Sequence, residues 1–145
     1  MYIKIKNESH HPLPAYATPG ASGLDLRAYT SSLITLASHG GRALISTGLY
    51  IELPEGFEAQ VRPRSGLASR HGITVLNTPG TIDTDYRGEI KVLLINLGND
   101  SFSIEDGDRI AQLVVAPYQK ISWQLANILT GTSRGDGGYG STGKQ

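Results

Sequence analysis

The residues best suited to chemistry lie in a polar stretch between two apolar runs, Ile73 to Leu76 and Ile90 to Ile95. The connection is too long for a tight hairpin, so it needs a shape of its own. Pro79-Gly80 predicts a turn, and residues 81–83 then predict a short extended piece. Such a piece can hold a carboxylate and an aromatic ring at the mouth of a pocket.

Two carboxylates follow this turn, Asp83 and Asp85. An extended backbone directs their side chains to opposite faces, so only one of them needs to face a ligand. We expect that one to be Asp83. The alternative is a surface hairpin whose polar residues serve only turns and solvation, as loop residues commonly do.

A second candidate is the segment Arg62-Pro63-Arg64-Ser65-Gly66-Leu67-Ala68, which ends a strand and opens a helical turn. Backbone N–H groups at the start of a helix attract anions, and the planar guanidinium of Arg64 suits phosphate. An ordinary helix cap is the commoner explanation of such a pattern. The residues alone therefore leave both interpretations open.

Two single polar residues interrupt apolar strands elsewhere in the chain. Asp25 alternates with Leu24 and Leu26, and Gln112 lies between apolar neighbours. A lone Asp in a strand is usually solvated, and a buried Gln needs partners for its amide. Each residue therefore also has an ordinary structural explanation.

Five segments, in order along the chain, resemble the five signature motifs of the trimeric dUTP diphosphatase family. They are Ala21 to Ala28, Pro63 to Ala68, Val75 to Ile90, Gly107 to Val114 and Arg134 to Lys144. The second of these, PRSGLA, matches its motif residue for residue. The resemblance implies a β jelly-roll homotrimer that hydrolyses dUTP to dUMP and pyrophosphate with Mg²⁺. This activity keeps uracil out of DNA and supplies dUMP for thymidylate synthesis.

The resemblance also implies how residues 77–89, the organising loop, recognise the substrate. The residues expected to face the uracil edge are Asn77, Gly80, Thr81 and Ile82. A narrow pocket of backbone groups can bond the uracil edge while excluding the methyl group of thymine. Tyr86 would pack under the deoxyribose and exclude a 2′-OH, although on its own it could be a core or interface aromatic. Asp83 would be the general base and hold the 3′-OH.

A further group of residues is implied to contact the phosphates: Arg64, Ser65 and Gly66. Gln112 would help to hold the phosphate and the attacking water. Asp25 would lie near the magnesium ion and contact it through water. Magnesium bound mainly by phosphates and water, with a carboxylate in its outer shell, is ordinary for this ion.

The tail from Leu129 has six glycines between residues 131 and 143 and no apolar run. Its composition predicts a disordered terminus. The resemblance instead implies a mobile arm over residues 129–145 that closes on the nucleotide of another subunit. The implied contact residues are Arg134, Tyr139, Gly140, Ser141 and Thr142. Tyr139 stands where the family usually has Phe, which keeps the stacking face, and Asp136 adds a negative charge near a triphosphate.

Two alternatives differ in their chemistry. A dCTP deaminase of the same fold would need a different base-reading loop and a proton-shuttling acid beside the base. A nucleotide-sensing trimer without activity would be expected to lack the base or the arm, and this chain has both Asp83 and the tail motif.

Composition narrows the class further. The chain has 145 residues, 13 Lys and Arg against 13 Asp and Glu, and no Cys. This predicts one jelly-roll domain over residues 1–128 followed by the arm, with no direct nucleic-acid binding and no thiolate zinc site. The four histidines show no ligand-like spacing, and we expect surface residues. With no signal-peptide pattern and no apolar run of about 18 residues, we expect a cytoplasmic protein without membrane contact.

The elements that must position these residues are short strands separated by Gly, Pro, Asn and Asp. Period-two or apolar runs predict strands at Tyr2 to Lys6, Leu33 to Ala37, Ala43 to Leu53, Phe57 to Val61, Ile73 to Leu76, Glu89 to Leu97, Phe102 to Glu105, Arg109 to Ala116 and Ile121 to Leu125. Only Gly66 to His71 suggests a helical turn. The pattern predicts an all-β sandwich or barrel. Val92 to Ile95 and Leu113 to Ala116 are apolar on both faces, which indicates packing against another subunit.

Overall fold

The computed structural model describes residues 1–138. Within this range, ten strands and one helix follow each other along the chain: β1 Lys4–Asn7, β2 Leu24–Arg27, β3 Ile34–Leu36, β4 Arg42–Glu52, β5 Phe57–Arg62, α1 Ser65–His71, β6 Ile73–Val75, β7 Gly80–Ile82, β8 Ile90–Asn96, β9 Phe102–Ile104 and β10 Arg109–Pro117.

The strands form a sandwich of jelly-roll type. One antiparallel sheet has the order β1-β4-β8-β6, and the other has the order β2-β10-β5-β7. A separate pair joins β3 to β9. Strands that are adjacent in a sheet are mostly distant in the sequence. Residues from distant parts of the chain therefore meet on one face of a sheet.

Alternation along each strand explains the core. In β8, Ile90, Val92, Leu94 and Asn96 are buried, while Lys91 between them is exposed. The two sheets bury their apolar faces in one continuous cluster. Asn96 is the polar exception, and its amide is satisfied by the carbonyls of Leu36 and Asp100 and by the N–H of Gly98.

Eight of the nine strand predictions are confirmed to within one or two residues, as is the single helical turn. The prediction of a strand at Ile121 to Leu125 is wrong, because this segment has no secondary structure. Alternation correctly marks an extended backbone, but a strand also needs a partner. Within the described residues, none runs beside this segment.

The chain leaves the sandwich at Tyr118, whose N–H donates to the carbonyl of Gly56. Residues 119–138 contain no helix or strand, and nearly all of them are exposed. Trp123 is 91% exposed and Leu125 is 97% exposed. This part of the chain therefore has almost no packing against its own sandwich. No helix in residues 1–138 has the length and apolarity to cross a membrane.

One junction lies at the end of the β2–β10 pair. Asp106 accepts the backbone N–H of Thr30 at 2.9 Å and contacts Nε2 of both His10 and His11. These contacts, the Thr30 N–H first, lower the pKa of Asp106 to about 2. The expectation that both histidines are surface residues is wrong for His11, whose side chain is only 14% exposed.

Candidate active site

The organising loop surrounds a pocket of about 300 Å³. Its lining includes every residue that the resemblance assigned to the base and the sugar: Asn77, Gly80, Thr81, Ile82, Asp83 and Tyr86. Asp85 does not line it. The volume is at the lower end for small-molecule sites and suits a nucleoside. The structure thus brings this predicted group together.

Strand β7 forms the inner wall of the pocket. Among the strands of residues 1–138 it pairs with β5 alone, because it is the last strand of its sheet. Its other edge therefore presents backbone N–H and C=O groups without strand partners. Such a row can bond a flat ligand that has donors and acceptors along one edge, as a nucleobase has.

Gly80 keeps this wall close to Asn77. A methyl group at Gly80 would lie 3.2 Å from Asn77 Nδ2 and 3.5 Å from Val61 Cβ. A side chain here would require the Asn77 amide to shift by a few tenths of an ångström. This contact explains why a glycine stands at the start of β7.

Tyr86 forms the opposite wall and is fixed from two sides. Its hydroxyl donates to the carbonyl of Glu89 at 2.9 Å. A Cβ atom at Gly88 would lie 2.5 Å from Tyr86 Cζ and 2.9 Å from Cε2, so only glycine fits beside the ring. The residue as a whole is 45% exposed. It is thus available to a ligand rather than buried in the core.

The pocket contains two carboxylates with different surroundings. Glu89 accepts the backbone N–H groups of Gly48 and Thr47 at 2.9 and 3.2 Å, and Lys91 lies 3.4 Å away. Asp83 is exposed, and no hydrogen bond within residues 1–138 engages its carboxylate. The hydrogen bonds of Glu89 therefore stabilise the irregular part of β4 around Thr47 and Gly48. Asp83 is the carboxylate available for chemistry.

A second group of predicted residues lies in the same sheet as β7, on β2 and β10 and just after β5. Asp25 accepts a hydrogen bond from Arg64 Nε and another from Arg109 Nη1, each at 3.1 Å. Asp25 and Gln112 are directly opposed in the β2–β10 register. A methyl group at Gly23 would lie 3.2 Å from Gln112 Oε1. Asp25, Arg64 and Gln112 thus form one polar cluster.

The hydrogen bonds of Asp25 are compatible with the expected contact to magnesium through water. Each carboxylate oxygen already accepts from an arginine, which disfavours direct coordination. Each oxygen retains a second lone pair, which can accept a hydrogen bond from a metal-bound water. The donor set therefore suits an outer-shell contact.

Helix α1 begins at Ser65, directly after Arg64, as the sequence indicated. The first N–H groups of a helix have no partner within it, so those of Ser65 and Gly66 are available to other acceptors. Arg64 also donates to the carbonyl of Arg109 at 3.0 Å. Its guanidinium is therefore held in place by two acceptors.

The two groups do not share a pocket within one chain. Asp25, Arg64, Ser65, Gly66 and Gln112 are absent from the lining of the pocket beside Asp83. Arg134 is exposed in the tail, and its Nε donates to the carbonyl of Gly137 at 2.8 Å. The predictions for Tyr139, Gly140, Ser141 and Thr142 fall outside the described residues.

Four residues that support the site had no assigned role in the sequence. Gly88 and Gly23 admit the side chains of Tyr86 and Gln112, Glu89 shapes β4, and Arg109 shares Asp25 with Arg64. Each supporting residue lies inside one of the five motifs. Their position in a motif was the only sign of a role in the sequence. The residues that they contact are brought next to them only by folding.

The fold and the pocket define a jelly-roll sandwich with a nucleoside-sized site and one available carboxylate. The dUTPase family model matches residues 9–143. The chain belongs to the dUTPase family.

Individual relatives agree with the family match. The chain is 61% identical over 143 residues to the deoxyuridine 5′-triphosphate nucleotidohydrolase of Rickettsia prowazekii, covering 97% of this chain and 96% of the relative. It is 53% identical to the enzyme of the same name from Finegoldia magna, with 99% of both chains covered. Among solved structures, the Staphylococcus bacteriophage 80alpha dUTPase with dUPNHPP aligns with a TM-score of 0.86 over 98% of both chains, at 23% identity. This last likeness supports the fold.

Proposed function

We propose that the protein hydrolyses dUTP to dUMP and pyrophosphate. The observation that carries this proposal is the pocket beside β7, where an open strand edge, the Tyr86 ring and the free Asp83 carboxylate meet. The relatives at 53% and 61% identity carry the name of this activity over nearly the whole chain.

The open edge of β7 would read the uracil. Backbone groups of Gly80, Thr81 and Ile82, with the Asn77 amide, match O2, N3–H and O4 of the base. The close approach of Gly80 to Val61 and Asn77 keeps the pocket narrow, which disfavours the methyl group of thymine. A base with the wrong edge would leave buried polar groups unpaired, which is a strong basis for selection.

Asp83 would act as the general base. Water attacks the α-phosphorus, a P–O bond forms, and the bond from this phosphorus to the α,β-bridging oxygen breaks. The water proton passes to Asp83, and pyrophosphate leaves. Asp83 suits the role because it is exposed and lies in the pocket, whereas Glu89 is occupied by backbone N–H groups.

Substrate would enter as a magnesium complex, since Mg²⁺ commonly binds through phosphate oxygens and water. Bound magnesium would offset charge on the phosphates. Arg64 and the N–H groups of Ser65 and Gly66 would donate to the phosphate oxygens, Gln112 would orient the water, and Asp25 would bond a magnesium-bound water.

We further propose a homotrimer in which the pocket of one chain meets the phosphate-binding residues of another. This explains why the two groups share no pocket in a single chain. It also gives a partner to the exposed apolar side chains of the segment 121–129 and to the outward, half-buried residues Leu93 and Ile95 of β8. The arm over residues 129–145 would then close over a neighbouring site.

The test is to incubate the purified chain with Mg²⁺ and each of dUTP, dCTP, TTP and UTP, and to identify the products. We expect dUMP and pyrophosphate from dUTP, with much slower turnover of the others. Ammonia released from dCTP would assign the protein to the deaminases instead. Binding of dUTP without turnover would favour the nucleotide sensor.

A further inference from the structure

The junction of His10, His11 and Asp106 has the composition of a transition-metal site. His10 Nε2 lies 2.7 Å from Asp106 Oδ2, and His11 Nε2 lies 3.1 Å from Asp106 Oδ1. The three ligand atoms all lie within 4.8 Å of one another. Two imidazoles and one carboxylate thus form one small cluster, and none of the three residues lines the pocket beside Asp83.

The local fold makes these two adjacent histidines converge. Strand β1 ends at Asn7, whose Oδ1 accepts the backbone N–H of Ser9 and whose Nδ2 donates to the carbonyl of His11. This turn replaces the strand on which His10 and His11 would have diverged. Sequence spacing therefore missed the cluster, because the third member lies 95 residues beyond His11.

We propose that His10, His11 and Asp106 bind one divalent transition metal of the zinc class. Zinc bonds of about 2.0–2.1 Å in a tetrahedral site set ligand atoms about 3.4 Å apart. Since the three ligand atoms already lie within 4.8 Å of one another, their separations would need to change by at most about 1.4 Å to match this spacing. A fourth position remains for water on the exposed side, since the His10 side chain is 67% exposed.

The surroundings of Asp106 resemble those of a supported metal ligand. The backbone N–H of Thr30 donates to Asp106 Oδ1 at 2.9 Å and fixes the carboxylate. Outer partners of this kind orient ligands and strengthen binding. His11 is held against Gly107, where a Cβ atom would approach its Cε1 to 3.2 Å. Two of the three ligands are therefore positioned before any metal arrives.

The donor set distinguishes this site from that of the substrate's magnesium. Imidazole nitrogens favour zinc, cobalt, nickel and copper, whereas Mg²⁺ prefers oxygen ligands. The metal would join the loop after β1 to the turn between β9 and β10 and to the loop after β2. Its expected effect is to stabilise the fold, because ligands that bind only the folded state oppose unfolding.

The test uses the full-length, untagged protein after treatment with a chelator, without nucleotide. ZnCl₂ binding is measured by calorimetry, CoCl₂ binding by visible absorption, and melting temperature with and without zinc. His10→Asn removes an exposed ligand, so folding should be retained. His39→Asn is the matched control, because His39 lies in a turn at φ 57°, a conformation that Asn also adopts.

The wild type and His39→Asn should each bind one zinc per chain and melt at a higher temperature with zinc. A large excess of MgCl₂ should not displace it. In His10→Asn, zinc affinity should fall by roughly tenfold or more, and the cobalt absorption should be lost. No saturable zinc binding by the wild type, or equal binding by His10→Asn, would overturn the proposal and leave the cluster as a hydrogen-bonded junction. Either result is independent of dUTP hydrolysis.

Discussion

Two truncations separate the roles of the C-terminal segment. The first deletes residues 130–145, and the second deletes residues 119–145. The described part of the first deletion is exposed, and its hydrogen bonds are local, such as Gly135 N–H to the Thr132 carbonyl. Its removal should therefore change the free energy of unfolding by less than about 0.5 kcal/mol. The longer truncation also removes the apolar residues before Leu129.

The loss of association free energy in the longer truncation can be calculated from the exposure of the side chains that it removes. Ile121, Trp123, Leu125 and Ile128 are 66%, 91%, 97% and 88% exposed in the single chain. If each is buried in the trimer, it contributes about 1.5–3 kcal/mol, so the four contribute on the order of 6–12 kcal/mol per chain. Costs of association reduce this value. The loss should nevertheless dissociate the proposed trimer at micromolar concentration.

The assays are sedimentation for oligomeric state, thermal melting, and pyrophosphate release from dUTP. The shorter truncation should remain trimeric with an unchanged melting temperature, while kcat/KM falls by roughly 10²-fold or more because the proposed phosphate donors of the arm are lost. The longer truncation should be monomeric. A stable trimer without residues 119–145 would refute the interface role. Full activity without residues 130–145 would refute the arm.

The remaining predictions concern single residues and mixed chains. Asp83→Asn should leave dUTP binding nearly intact but slow hydrolysis by roughly 10²–10⁴-fold, and normal turnover in a stopped-flow assay would remove Asp83 from the base role. Tyr86→Ala should raise the ratio of kcat/KM for UTP to that for dUTP, and an unchanged ratio would make the ring a packing residue. Gly88→Ala should lower kcat/KM for dUTP by roughly 10²-fold because the Tyr86 ring must move, while Tyr86→Phe, which keeps the ring, should not. Trimers co-refolded from Asp83→Asn chains and chains lacking residues 130–145 should recover activity that neither has alone, and no recovery would place the arm on its own subunit.

Much of the fold could be predicted because alternating apolar residues determine which face of a strand is buried. The alternation of β8 and the extended piece predicted at residues 81–83 located the pocket loop. The turn itself lies at residues 76–77, and Gly80, which was predicted as part of the turn, already begins β7. The segment Ile121 to Leu125 was predicted wrongly as a strand, since alternation does not reveal whether a partner strand exists in the same chain.

Long-range contacts account for what the sequence did not reveal. His10 and His11 meet Asp106 only because the turn after Asn7 redirects them. The close approach of Gly23 to Gln112 likewise arises only in the folded sheet. Such steric requirements involve pairs of residues that are distant in sequence. A single sequence does not show which residues will be neighbours in the folded protein.

The most direct test of the central proposal is turnover of dUTP in H₂¹⁸O, with both products analysed by mass spectrometry. Attack of water on the α-phosphorus beside Asp83 predicts dUMP that carries one labelled oxygen, together with unlabelled pyrophosphate. Label in the pyrophosphate, formation of dUDP, or unchanged dUTP would contradict the proposed reaction.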